Sequence, residues 1–210
     1  MKEKISLKPG TMLAPLPCVM VSCSDGKEDN IITIAWTGII NSDPPMTYVS
    51  VRPSRHSYQM IKKSKEFVIN MTSEELTFAL DYCGCRTGAK EDKFETMHLT
   101  KAKGDIVSCP MIAESPINLE CKVVSTKKLG SHDMFMAEIV AVHVDPKLVK
   151  KDGRIAYEKA KLVSYMHGAY FNLVDENIGL KGYSVMKPKT VKKRRAEGKA
   201  TTGKKAHFER

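Results

Sequence analysis

Between Pro17 and Met166 the chain is a succession of short, β-branched apolar runs cut by glycine, proline and aspartate-glycine signals. Runs this short, punctuated this often, favour a barrel or sandwich over alternating βαβ units. Pro17 to Ser24 ends at the turn signal Asp25-Gly26, and Asn30 to Trp36 resumes with Ile31, Ile32, Thr33 and Ile34. The pair reads as a hairpin. Pro44-Pro45 breaks the chain before Met46 to Arg52, and Glu66 to Met71 supplies a fourth strand. Ile117, Leu119, Cys121 and Val123 alternate with Asn118, Glu120 and Lys122, a period of two that predicts one buried face. Gly130 and Ser131 turn the chain into Met134 to Val144, and Leu162 to Met166 is a further strand.

Two helices are expected within this β framework. Ser54 is placed to cap a helix through about Lys63, with Tyr58 and Ile61 facing the core. Thr72 and Glu75 have the spacing of a capping box for Ser73 to Tyr82.

With 210 residues, 42% of them hydrophobic, the chain can bury a substantial core. No apolar run approaches the roughly 20 residues of a membrane span. Met1 to Thr11 has no apolar signal-peptide core, so a cytoplasmic protein with no membrane partner is expected. The scatter of Cys18, Cys23, Cys83, Cys85, Cys109 and Cys121 fits reduced thiols, and Cys83-Gly84-Cys85 is too tight for a zinc knuckle. No metal site is expected. The net charge of +10 suggests nucleic acid until it is located. Ten Lys or Arg face two Glu between Lys187 and Arg210, which leaves +2 for residues 1–186. Residues 1–186 therefore read as the folded domain, and 187–210 as a basic, mobile tail whose centre is Lys192-Lys193-Arg194-Arg195. Such a run can bind phosphates without sequence preference, but it has no reading motif.

Four stretches carry possible chemistry. In Ser50-Val51-Arg52-Pro53-Ser54-Arg55-His56-Ser57 a strand runs into a helix start, where unpaired N–H groups, hydroxyls and arginines suit a phosphate. From the residues alone an exposed cap with solvated arginines is the more common arrangement at such a helix start. Around Trp36, the only tryptophan, Thr33, Ile34, Ala35, Thr37 and Gly38 let backbone approach a planar ligand, although a lone Trp also suits a core. The loop from Asp81 to Phe94 holds Gly84, Gly88 and Lys93, a cation able to reach an anion. His132 sits in Gly130-Ser131-His132-Asp133, where an imidazole can exchange protons near neutral pH. No Walker A loop, HExxH, nucleophile elbow or GxGxxG is present.

Taken in order, Thr33-Ile34-Ala35-Trp36, Ser50-Val51-Arg52-Pro53 with Ser57, Phe67-Val68-Ile69-Asn70, Thr87-Gly88 with Asp92-Lys93-Phe94, and Gly130-Ser131-His132 before Ala137-Glu138-Ile139 resemble the flavin reductase-like family of FMN-binding split barrels. The likeness covers residues 10–172 and is greatest for the flavoredoxin branch. It implies a mainly β Greek-key split barrel, a homodimer, and FMN near the subunit interface. The flavin ring would lie by Thr33, Ile34, Ala35 and Trp36, with Ser50, Val51 and Arg52 along the ribityl and phosphate side. Ser54 and Ser57 would meet the phosphate, and Cys83, Gly84 and Lys93 would border the pocket. His132 would stand by the nicotinamide and flavin, assisting hydride transfer or proton exchange, with NADH or NADPH as donor. An electron carrier fed by a redox protein, a ferric-complex reductase, and nucleic-acid binding through the tail are the alternatives. Many such reductases carry an acid where Ser131 stands; here the acid follows, at Asp133. The Cys83-Cys85 pair is not a general feature of the family.

Overall fold

The computed structural model describes residues 3–173 together with 182, 185–187, 189, 190, 192 and 193. The chain divides into two compact units, Met1–Leu173 and Val174–Arg210. Lys187, where the basic composition begins, lies inside the second unit, and Arg194 and Arg195 lie outside the described residues. No helix among the described residues is long and apolar enough to cross a membrane.

The first unit contains β1 (Leu16–Pro17), β2 (Val19–Ser24), β3 (Asp29–Ile34), β4 (Thr37–Ser42), β5 (Pro45–Val51), α1 (His56–Ser64) and β6 (Glu66–Met71). It continues through α2 (Thr77–Cys85), α3 (Lys93–Thr96), β7 (Lys101–Ala102), β8 (Met111–Ile112), β9 (Ile117–Lys128), β10 (Asp133–Val144), β11 (Val163–Met166) and β12 (Ala169–Asn172). Seven strands form one antiparallel sheet in the order β3-β2-β6-β9-β10-β5-β4. Helix α1 carries the chain from β5 to β6 on the far side, which gives the Greek-key crossing. Register shifts in β10, between Met136 and Ala137 and between Ile139 and Ala141, bend the long strands. Val19 and Val21 of β2, Ile32 and Ile34 of β3, Val49 and Val51 of β5, Phe67 of β6 and Phe135 of β10 meet in one core that α1 closes with Tyr58 and Ile61. Fully burying a side chain such as Phe67 or Phe135 contributes about 1.5–3 kcal/mol. This is the mainly β split barrel that the sequence predicts.

The outer face of β2 and β3 is covered as well. Met20 and Ile31 pack under Leu76, Ala79, Leu80 and Cys83 of the α2 region. Burial on both faces explains why Val19–Ser24 shows no alternation. The β1-β11-β12 sheet flanks this layer, with Val163 in the same cluster.

Several local expectations are corrected. Strand β4 spans Thr37–Ser42, a stretch to which the sequence reading assigned no strand, and Pro44-Pro45 joins it to β5. Helix α1 starts at His56, not Ser54, because Pro53 holds Arg52 extended and residues 52–55 make a turn closed by Arg55 N–H to the Arg52 carbonyl. Arg55 occupies the cap position and contributes no side-chain cap. The Thr72–Glu75 capping box does not form. A 3₁₀ turn, Glu74–Leu76, precedes α2, and the Thr72 carbonyl is engaged by the Val163 N–H instead.

The alternation in β9 marks a face that is also buried on its polar side. Asn118 and Glu120 are both buried, beneath the segment 103–110. Glu120 accepts the N–H groups of Asp105, Ile106 and Val107 at 2.6–2.8 Å and meets His143 Nε2 at 2.5 Å. Burial alone would raise this carboxyl, but those donors outweigh it and hold the pKa at about 2. Asp105, Glu120 and His143 place ligand-type atoms within 4.8 Å of one another, yet backbone donors already fill the Glu120 oxygens.

Candidate functional site

The strand ends and turns of this barrel leave two adjoining cavities on one side. The larger, about 360 Å³, is lined by Thr33 and Ile34 at the end of β3, Ala35 and Trp36 just after it, Ser50, Val51 and Arg52 at the end of β5, Gly84 of α2, and His132. The smaller, about 150 Å³, is lined by Asn30, Ser54, Ser57, Cys83, Gly84 and Lys93, among others. Ile32, Arg55 and Gly84 border both. The sequence-derived site residues thus collect in one bipartite cleft, brought together from β3, β5, α1, α2, α3 and the β9–β10 turn.

The larger part is a slot suited to a flat group. Trp36 is 37% exposed, and its ring lies 4.4 Å from that of His132 at a tilt of 45°. Thr33 donates its hydroxyl to the Leu80 carbonyl, which fixes α2 against β3. A Cβ on Gly84 would sit 3.1 Å from the Thr33 Cβ, so glycine permits this close approach. His132 contacts Ser131 Oγ through Nδ1 at 2.9 Å. Burial lowers its pKa below the usual histidine value, and the charges of Arg52 and then Arg55 push it the same way. The imidazole is therefore held neutral to lower pH than a free one. Asp133, the acid displaced by one position, points away from the cleft. It is buried and accepts the Tyr58 hydroxyl at 2.6 Å, which ties the start of β10 to α1.

The smaller part is built for an anion. It meets the first turn of α1, where the Tyr58 N–H donates to the Arg55 carbonyl and the His56 and Ser57 N–H groups precede the helical ladder. Ser57 and Lys93 are buried in its wall. Lys93 Nζ donates to the carbonyls of Ile31 and Cys83, both at 2.8 Å, leaving one of its three N–H groups free of these bonds. Burial lowers its pKa, against the opposing influence of Cys83, Glu91 and Cys23. Lys93 thus braces β3 to the end of α2 while lining the cavity. Asn30 Nδ2 donates to Ser57 Oγ at 2.8 Å, while Asn30 Oδ1 is buried with no partner among the described residues. A Cβ on Gly88 would fall 2.1 Å from that oxygen. Cys83 is buried beside them, and burial pushes its thiol up to about 11 despite the nearby Lys93 charge.

Outside the predicted site residues stand Asn30, Cys18, Asp81, Cys85, Tyr165 and Tyr170, of which Asp81 and Cys85 fall in the stretch from Asp81 to Phe94 that the sequence singles out. The last five line the other end of the larger cavity, where the Tyr170 hydroxyl donates to Asp81 at 2.9 Å. The spacing of Asp81 and Cys85, one helical turn apart on α2, was the available signal for two of them. The tyrosines come from the β11–β12 hairpin, which nothing local in the sequence connects to α2.

Comparison with known proteins extends these observations. The chain is 33% identical over 142 residues to an uncharacterized protein of Archaeoglobus fulgidus, covering 68% of this chain and 78% of the relative. Its structure is similar to the flavoredoxin of Desulfovibrio vulgaris (Miyazaki F), with a TM-score of 0.77 and 31% identity over 81% of this chain and 93% of that one. It is also similar to the flavoredoxin of Methanosarcina acetivorans, with a TM-score of 0.79 and 25% identity over 88% of this chain and 100% of that one. The model of the flavin reductase like domain matches residues 12–173, a span that contains the whole barrel and every residue of the cleft. The chain belongs to the flavin reductase like domain family.

Proposed function

We propose that this chain binds FMN in the bipartite cleft and uses it as an NAD(P)H-dependent oxidoreductase. The observation that carries the reading is the junction of an aromatic-walled slot with a cationic pocket at a helix start. A flat ring system bearing a phosphate on a flexible arm needs that combination. Together the two cavities have the size of a site for a small cofactor. FMN, when bound, supplies the hydride and electron chemistry that no side chain here can perform.

The protein's part is to bind and orient. Ser54, Ser57, Arg55 and the α1 N–H groups receive the phosphate, and Lys93 adds a fixed positive charge behind it. Thr33, Ala35 and Trp36 border the ring, while Gly84 keeps α2 close enough to form the opposite wall. His132, neutral at physiological pH, stands on the open side, able to accept or return a proton at a ring nitrogen. One edge of the large sheet favours a homodimer: β4 ends the sheet, and it exposes Ile39 and Ile40. Six free cysteines, five of them buried, suit the reducing cytoplasm.

A second reading is an electron carrier that takes electrons from a redox protein. The likeness to two flavoredoxins favours it, as does the open cleft mouth where Trp36 is part-exposed. An anaerobic visible spectrum of the FMN-loaded protein separates the two. Bleaching by NADH or NADPH supports the reductase; a flavin that stays oxidised with both and is reduced by a protein donor supports the carrier.

A further inference from the structure

We propose that Arg52 belongs to a second anion site, on the open side of the cleft beside Trp36 and His132, and that it receives the phosphate-bearing part of the nicotinamide donor and not the phosphate of FMN. The inference rests on the cofactor reading above and deepens it, and it departs from the position that the family resemblance implies for this residue.

The two arginines of the turn after β5 are placed differently. Arg55 borders both cavities, whereas Arg52 borders only the larger one, together with Trp36 and His132. The smaller cavity already has what one phosphate requires without Arg52. It has the N-terminal turn of α1, the hydroxyls of Ser54 and Ser57, and the charges of Arg55 and Lys93, and beside them lies the unpartnered buried amide oxygen of Asn30. That orphan is informative. Rotating the Asn30 amide by half a turn lets its oxygen accept from the Ser57 hydroxyl and turns an N–H₂ toward the cavity, a further donor for an anion.

Arg52 is exposed, and among the described residues it forms no ion pair. A guanidinium with a free planar fork at a cleft mouth matches a phosphate or diphosphate bidentately. Arg52 lines the larger cavity with Trp36 and His132 and does not reach the smaller one. The group that must enter from that side is the second reactant. A nicotinamide dinucleotide carries its charge on a diphosphate some distance from its reacting ring, so one cation beside the slot and another set beneath it divide the two anions between them.

The test uses the FMN-loaded protein and the variants Arg52→Ala and Arg52→Lys. FMN affinity is measured by fluorescence, and anaerobic flavin reduction is followed with NADH, NADPH and the uncharged donor N-benzyl-1,4-dihydronicotinamide. In R52A the FMN Kd should stay within about twofold. Half-saturation by the dinucleotide should rise about tenfold to a hundredfold, the scale of one charge-assisted contact. The limiting rate and the rate with the uncharged donor should hold, and R52K should recover part of the loss. Equal losses for NADH and NADPH assign Arg52 to the diphosphate they share; a loss confined to NADPH assigns it to the extra phosphate. FMN affinity that falls by the same factor overturns the assignment, as does equal slowing of charged and uncharged donors. FMN-loaded wild-type protein that neither dinucleotide reduces also overturns it. Wild-type protein that binds no FMN removes the cofactor reading itself, an outcome distinct from all of these.

Discussion

His132 and Asp133 are neighbours in sequence with opposite duties, because His132 ends the β9–β10 turn while Asp133 opens β10. His132 faces the cleft and stacks near Trp36, while Asp133 faces the core and holds Tyr58. Burial and two arginines lower the His132 pKa, so in the acid limb the unfolded chain takes this proton first. His132 therefore adds a stability loss as pH falls through the ordinary histidine range, and none above it. Denaturant unfolding at pH 7 and pH 5 should show a smaller pH dependence for His132→Gln than for wild type; an identical dependence contradicts the assignment. Gly88 makes a second prediction at this scale. Its replacement by Ala forces the new Cβ into the Asn30 amide, disturbing the bond to Ser57. Gly88→Ala should cost about 1–3 kcal/mol of stability and weaken FMN binding. Unchanged melting and unchanged affinity would show that the Asn30–Ser57 pair does not shape the pocket.

Among the elements, the strands were the most readable. Glu66–Met71 and the β2–β3 hairpin follow directly from β-branched runs bounded by turn residues. Helix starts were less so, because cap chemistry competes with neighbours that local sequence does not contain. Ser54 is a good cap by composition, but Pro53 and the Arg52–Arg55 turn delay the helix. Thr72 is a good capping-box residue, but its backbone is committed to Val163, ninety-one positions on. The cleft was legible wherever its walls are strand ends followed by small or hydroxyl residues, as at Thr33–Trp36 and Ser50–Arg52. It was opaque where a wall arrives from a distant hairpin, as with Tyr165 and Tyr170. Strand β9 shows the same limit: its period of two is correct, yet Glu120 on the supposed outer face anchors a covering loop. Glu120→Gln should destabilise the barrel by about 2–3 kcal/mol, since N–H donors then meet an amide N–H₂. Because the carboxyl is held at about 2, its stabilisation is complete above the ordinary carboxylate pKa and is lost as pH falls from there toward 2. Thermal melts of wild type and variant should converge over that interval; parallel curves would contradict this role.

For the whole molecule, the barrel is a scaffold whose open side brings β3, β5, α1, α2 and the β9–β10 turn to one cleft. Its large sheet ends at β4 with Ile39 and Ile40 exposed, an edge that needs cover. Replacing both with Lys should convert a dimer into monomers in sedimentation, and a wild type already monomeric would contradict the proposed assembly. The central claim concerns the cleft itself, and the chain has a built-in reporter there. Trp36 is its only tryptophan and lines the slot. Titrating the purified protein with FMN while recording tryptophan emission tests the claim most directly. The account predicts saturable quenching that ends at one FMN per chain. Emission that does not change, with FMN remaining free in solution, would contradict it.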